Sequence, residues 1–217
     1  MPDVLVLGPQ FRSPNIRDAL ARTGLSGPVV TITAGWQERE GELAALEGHL
    51  GHPVRDLRLY ERAEAVFNQD AELHETHRRR QADLRRLQEL YRIRLSHAKT
   101  AARELFATDE DSELMRNARR AALSAIRRLD AEHLKAIGRI HARWDARLGV
   151  RTRPVLARQL EELENLVEKA GVVCLAGGHV AVLLNRLRLF GLERLLRRRP
   201  VVAWSAGAMA ISERIVL

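Results

Sequence analysis

Short continuous apolar runs occupy both ends of the chain, while its middle repeats apolar residues every three or four positions. Val4-Leu5-Val6-Leu7, closed by Gly8-Pro9, has the length and continuity of a buried strand. Asn15 to Thr23 follows with helical spacing, Ser13 or Asn15 standing as cap and Gly24 just past the end. Pro28 to Thr33 is a second strand, β-branched and unbroken. It closes on Ala34-Gly35-Trp36-Gln37, and a helix is predicted from Glu38. At the other end, Pro154 opens a helix through Leu156, Leu160, Leu163 and Val167. Val172-Val173-Cys174-Leu175 is a strand and Gly177-Gly178 a tight turn. His179 to Leu189 and Leu192 to Arg198 are helices, and Val201 to Ala203 is a further strand. Continuous apolar strands alternating with helices predict a parallel sheet covered on both faces, a three-layer α/β sandwich.

The middle is of another kind. From about residue 57 to 148 there is no proline and one glycine, Gly138. One seam runs through Leu84, Leu87, Tyr91, Leu95, Ala98, Ala102 and Leu105. A second runs through Met115, Ala118, Ala122, Ile126, Leu129, His133, Ile137, Ile140 and Trp144. Between them lies Thr108-Asp109-Glu110-Asp111-Ser112, rich in helix-capping residues. The pattern predicts two long antiparallel helices in a coiled-coil hairpin. The expected organisation is an α/β domain of residues 1–56 and 149–217, interrupted by the hairpin at 57–148.

Composition narrows the function classes. Lys and Arg number 36 against 28 Asp and Glu, a net charge of +8. The acidic residues are interspersed with the basic ones, so the excess reads as a solvated helical surface. Arg78-Arg79-Arg80 and Arg197-Arg198-Arg199 lack neighbouring aromatics for base stacking, so nucleic acid is not the expected partner. A single cysteine, Cys174, excludes an internal disulfide, and its apolar neighbours mark it as a buried hydrophobe. No leader and no stretch near the ~20 apolar residues of a membrane span is seen, so a cytoplasmic protein without a membrane partner is expected. His74 and His77 flank Glu75 at a spacing that can hold zinc, but not as His-Glu-x-x-His; they read as a solvated helix face. No metal or cofactor is expected.

The candidate chemistry lies at Val201-Val202-Ala203-Trp204-Ser205-Ala206-Gly207-Ala208-Met209. An apolar run, a serine among small residues and an incipient helix spell a nucleophile elbow. A serine hydroxyl also needs a base and oxyanion donors. The Gly177-Gly178 turn ends a neighbouring parallel strand, so its N–H groups, with that of Ala206, are placed to supply the donors. Trp36, Gln37 and Glu38 follow the second strand at the same carboxyl edge, where open parallel sheets bind ligands, and are candidate pocket residues, a packed tryptophan being the alternative for Trp36. No histidine follows Ser205.

These residues resemble a family. Val172 to His179, the helix with Leu183-Leu184, Gly191-Leu192 and Trp204-Ser205-Ala206-Gly207-Ala208 look like the peptidase E and cyanophycinase family. Those are serine peptidases on a class I glutamine amidotransferase-like fold. The likeness covers roughly residues 155–217, with a weaker match at strands 4–7 and 29–33. It implies Ser205 as nucleophile and Gly178 and Ala206 as oxyanion donors, with Gly177 and His179 beside the pocket. This chain has Ala203 where the family usually has glycine, and His179 where the family commonly has asparagine. The family's catalytic histidine and acid follow the elbow, yet the sequence runs only to Leu217. The expectation is a fragment lacking the last strands of the fold. His179, at a helix start, is read as substrate-facing rather than as a substitute base, and Glu213 as a surface charge rather than a catalytic acid. The expected function is a serine hydrolase cleaving a small peptide or amide. The alternative is a non-catalytic scaffold whose hairpin mediates oligomerisation, with a second copy as partner, or partner docking.

Overall fold

A computed structural model describes residues 3–24, 27–149 and 153–212. The chain divides into two compact units, residues 1–70 with 150–217, and residues 71–149.

The first unit is mixed α/β around a five-stranded, wholly parallel sheet. Its strands are β1 (Val4–Leu7), β2 (Val29–Ile32), β3 (Val54–Asp56), β4 (Val172–Leu175) and β5 (Val201–Trp204), in the order β1-β5-β4-β2-β3. The three inner strands are buried at every position, which is why they read as unbroken apolar runs. β1 is an edge strand, with Val4 and Val6 exposed at 56% and 60%. β3 adds to the strands expected from the sequence. At three residues, with Arg55 in its centre, it carries too little apolar pattern to stand out.

Helices α1 (Ile16–Arg22) and α2 (Ala44–Leu50) pack on one set of strand side chains. Ile16, Leu20, Leu46 and Leu50 meet Val29, Val172, Cys174, Val202 and Trp204 in one core. Each such aliphatic side chain, fully buried, contributes roughly 1.5–3 kcal/mol. The alternate strand residues Val30, Ile32, Val173, Leu175, Val201 and Ala203 are also buried. The remaining helices of this unit are α3 (Leu59–Gln69), α6 (Pro154–Glu168), α7 (Val180–Leu189), α8 (Glu193–Leu196) and α9 (Ala206–Ala210). Arg186 of α7 joins α3 by an ion pair to Glu64 at 2.8 Å and by stacking over Tyr60 and Phe67. α3 thus belongs to the α/β unit, and the boundary lies at residue 70 rather than 56. The helix expected from Glu38 is instead a 3-10 segment, Ala34–Arg39, with α2 beginning only at Ala44.

The second unit is a pair of helices, α4 (Ala71–Ala107) and α5 (Glu113–Leu148). Ser112 caps α5, its Oγ accepting from the Met115 N–H at 3.1 Å. Gly149 closes the helix in the left-handed conformation. The pairing is antiparallel: Asp83 accepts from Trp144 Nε1, Gln88 meets His133, and Arg119 donates to the Leu105 carbonyl. The Tyr91 hydroxyl donates to Asp130 at 2.7 Å while its ring stacks on His133. A polar layer of this kind fixes one register between two seams that alone would permit several. Arg80 is 1% exposed and bonded to Asp145, whereas Arg78 and Arg79 both reach Glu75. The arginine triplet is therefore not one basic surface. His77 is buried too, which corrects its assignment to a solvated face.

Candidate active site

All five strands run the same way, so their carboxyl ends share one edge. Ser205 follows β5 there, the 177–178 turn follows β4, and the 3-10 segment follows β2.

Ser205 has φ 52° and ψ −122°. A residue with a Cβ adopts this conformation only where its surroundings impose it, at about 1–3 kcal/mol. Three contacts do so. The Ser205 N–H donates to the Leu7 carbonyl at 3.2 Å, and its carbonyl accepts from the Met209 N–H at 3.1 Å in the first turn of α9. Gly207 brings α9 against the end of β4, where a Cβ would lie 2.3 Å from the Leu175 carbonyl oxygen. This is the sharp strand-to-helix turn of an elbow. Ala203 is fully buried in β5, so a methyl group at that position does not prevent the turn.

The neighbouring turn is equally tight. A Cβ on Gly177 would stand 3.0 Å from Ser205 Cβ and 3.3 Å from its Oγ. Gly178 has φ +117° and lies so close to Gly35 that a Cβ would fall 2.4 Å from the Gly35 oxygen. The His179 N–H donates to that same oxygen at 2.8 Å, joining the β4 turn to the β2 turn. Among the described residues, neither the Gly178 nor the Ala206 N–H is taken up by a hydrogen bond.

A cleft of about 550 Å³ opens beside Ser205, lined by Gly177, Gly178, Trp36 and Trp204 among others. Ile16, Ala45, Leu46 and Phe11 extend the apolar wall. Gln10 braces the loop that carries Phe11, donating to the Gly8 carbonyl and to Asn15 Oδ1, each at 3.0 Å. Arg39, Glu42 and His49 also line the cleft. These three were not singled out in the sequence. Arg39 ends the 3-10 segment, Glu42 lies in the loop that follows and His49 is in α2, so their convergence appears only once the true start of α2 is known.

The predicted residues divide. Ser205, Gly177, Gly178 and Trp36 come together at the cleft, and Ala206 adjoins Ser205 at the start of α9. His179 does not line it; its Nδ1 accepts from the Val182 N–H as the cap of α7. Gln37 does not line it either, yet it has φ 59° and ψ −123°, nearly the backbone of Ser205, at the corresponding place after β2. Glu213 lies outside the described residues. Among the described residues, no hydrogen bond is made by Ser205 Oγ, and no base is seen bonded to it. Cys174 is not a second nucleophile: it is buried, and burial pushes its thiol up to about 12. No group of three or more His, Cys, Asp or Glu among the described residues is placed to hold a metal. No helix among them is long and apolar enough to cross a membrane.

No family model, curated protein or solved structure matches this chain.

Two buried carboxylates of the α/β unit are held in contrasting ways. Asp56, at the end of β3, accepts from the Thr31 and Thr33 hydroxyls at 2.7 and 2.9 Å. Burial raises its pKa, and these bonds counter the rise. Glu40 accepts from the N–H groups of Tyr60 and Glu61 in the first turn of α3. Burial nevertheless drives its pKa up to about 7.

Proposed function

We propose that this chain is a serine hydrolase of the peptidase E and cyanophycinase kind, cleaving a small peptide or related amide in the cytoplasm. The observation that carries the reading is the backbone of Ser205, φ 52° and ψ −122°, between a buried parallel strand and a helix held close by Gly207. Ser205 Oγ attacks the carbonyl carbon, and the oxygen gathers negative charge as the carbonyl π bond breaks. The unengaged N–H groups of Gly178 and Ala206 receive that charge. The serine proton passes to a base that none of the described residues supplies and from it to the nitrogen, so that collapse of the tetrahedral species expels a neutral amine; water then attacks the acyl-enzyme, giving the carboxylic acid and restoring the Ser205 hydroxyl. Burial of both alternating sets of strand side chains supports the three-layer sandwich of that family. A fluorophosphonate should label the protein, and Ser205→Ala should abolish labelling and amide hydrolysis. Equal labelling of that variant sinks the proposal.

A second reading is favoured by the unpartnered Ser205 Oγ and by the length of α4 and α5. In it, the α/β unit is a non-catalytic carrier, and the hairpin pairs with a second copy of the chain, with no part for membrane or nucleic acid. Removing residues 71–149 should then lower the oligomeric state in sedimentation. An unchanged state in that variant rules it out.

A further inference from the structure

The 3-10 segment after β2 lends Trp36 to the cleft and is tied at both ends to other parts of the α/β unit. Gln37, next to Trp36, has φ 59° and ψ −123°, a backbone that a residue with a Cβ keeps only where its surroundings impose it. At the front, Gly35 packs against Gly178, and its carbonyl accepts from the His179 N–H at 2.8 Å. At the far end stands Glu40. Its N–H donates to the Gln37 carbonyl at 2.8 Å. Its two carboxyl oxygens accept one each from the Tyr60 and Glu61 N–H groups, at 3.1 and 2.9 Å. Those N–H groups belong to the first turn of α3, where a helix has no internal acceptors. Arg58, just before the helix, has only donors on its side chain and makes no cap. Glu38 reaches the same helix, accepting from the Tyr60 hydroxyl at 2.8 Å, and does not line the cleft. α3 is fixed in turn to α7 by Arg186, which pairs with Glu64 and stacks over Tyr60 and Phe67.

We infer that Glu40 is a positioning residue for the cleft: by capping α3 from a distance it holds the strained 3-10 segment in place and so sets Trp36 against the ligand. Glu40 does not itself line the cleft, so its effect on a ligand passes through Trp36. The inference rests on the nucleophile reading for its kinetic readout alone.

The test uses the full chain and an alkyl fluorophosphonate over a range of concentrations, which separates half-saturation from the maximal labelling rate. Glu40→Ala leaves both N–H groups of α3 without their acceptor and should raise half-saturation at least about tenfold, with the maximal rate held within about twofold. Glu40→Gln, which keeps the length and one acceptor oxygen, should recover at least about half of that loss on a logarithmic scale. In a Trp36→Ala background neither Glu40 substitution should raise half-saturation further, because the two residues act as one unit. Amide hydrogen exchange of Glu40→Ala should quicken by at least about tenfold across residues 35–40 and stay unchanged in β5 and α9. A Glu40 loss that persists undiminished without Trp36, or exchange that quickens uniformly over the α/β unit, overturns the inference and leaves Glu40 a cap of α3 alone. Should Glu40→Ala fail to fold, Glu40→Gln carries the same comparisons at smaller amplitude. An unmodified protein that takes no label refutes the nucleophile reading. Exchange then decides by itself: unchanged protection of residues 35–40 overturns the clamp, and a local rise upholds it.

Discussion

Replacing Gly207 by alanine sets two effects of opposite sign against each other. Gly207 is the second residue of α9, where alanine would ordinarily be the better helix former by up to about 1 kcal/mol. Here the added Cβ would lie 2.3 Å from the Leu175 oxygen, 2.8 Å from the Leu175 carbon and 2.8 Å from the Ala176 oxygen. All three are backbone atoms at the carboxyl end of β4, so no rotamer change relieves the collision. α9 must move outward by about 1 Å to restore ordinary contact, breaking the close packing that holds Ser205 in its turn. Overpacking of this kind costs about 1–3 kcal/mol. For a chain of this size each kcal/mol corresponds to roughly 2–4 °C in melting temperature. Urea unfolding followed by tryptophan emission gives the stability, since Trp36 and Trp204 both belong to the α/β unit. Fluorophosphonate labelling of the same variant reports the elbow and should fall in parallel. A Gly207→Ala protein as stable as the parent, or more so, would refute the close approach of α9 to β4.

Other outcomes follow from the same packing. Ser205→Gly should be more stable than Ser205→Ala by up to about 2 kcal/mol in urea, reversing the usual penalty for glycine, because the left-handed φ strains any residue with a Cβ; alanine proving the more stable would show the turn to be unstrained. The folded state holds Glu40 at about 7, above its ordinary 4.5, so it binds more protons there than the unfolded chain does. Its contribution is fully present below about pH 4.5 and is lost as pH rises through about 7, and Glu40→Gln should flatten that part of the stability–pH curve. Tyr91→Phe removes the 2.7 Å bond to Asp130 and should weaken the hairpin by about 1 kcal/mol, measured by circular dichroism on residues 71–149 within the full chain. Burial lowers the pKa of His133, so the stability it confers is present above its ordinary 6.5 and lost as pH falls through its lower folded value; His133→Gln should remove that acid-side loss from the melting curve.

What the residue pattern reveals depends on how much of it each element contains. The inner strands and the two long seams carry many apolar positions in one period, so β2, β4, β5, α4 and α5 lie where expected. β3 has three residues, and its place at the sheet edge is fixed by pairing with β2 rather than by its own composition. The stretch after Trp36 misleads because Gln37 adopts a positive φ inside what reads as a helix start, and no residue type announces that turn. Ser205 and the 177–178 turn are legible because small residues are needed wherever two backbones meet. His49, Arg39 and Glu42 are not, since they come from a 3-10 segment, a loop and a short helix that converge only in the folded chain. His179 reads as a pocket residue by order along the chain, but its Nδ1 is engaged as the cap of α7 and it does not line the cleft.

Asp70 and Arg153 flank the segment that leaves the α/β unit as α4 and returns after α5. They are joined by a doubly bonded ion pair at 2.8 and 2.6 Å, each side chain only 17% exposed. Departure and return are thus stitched together at one point of the fold, independently of what lies between. The hairpin is therefore free to lengthen or shorten by whole heptads over evolutionary time without disturbing the closure at Asp70 and Arg153 or the residues that line the cleft at Ser205.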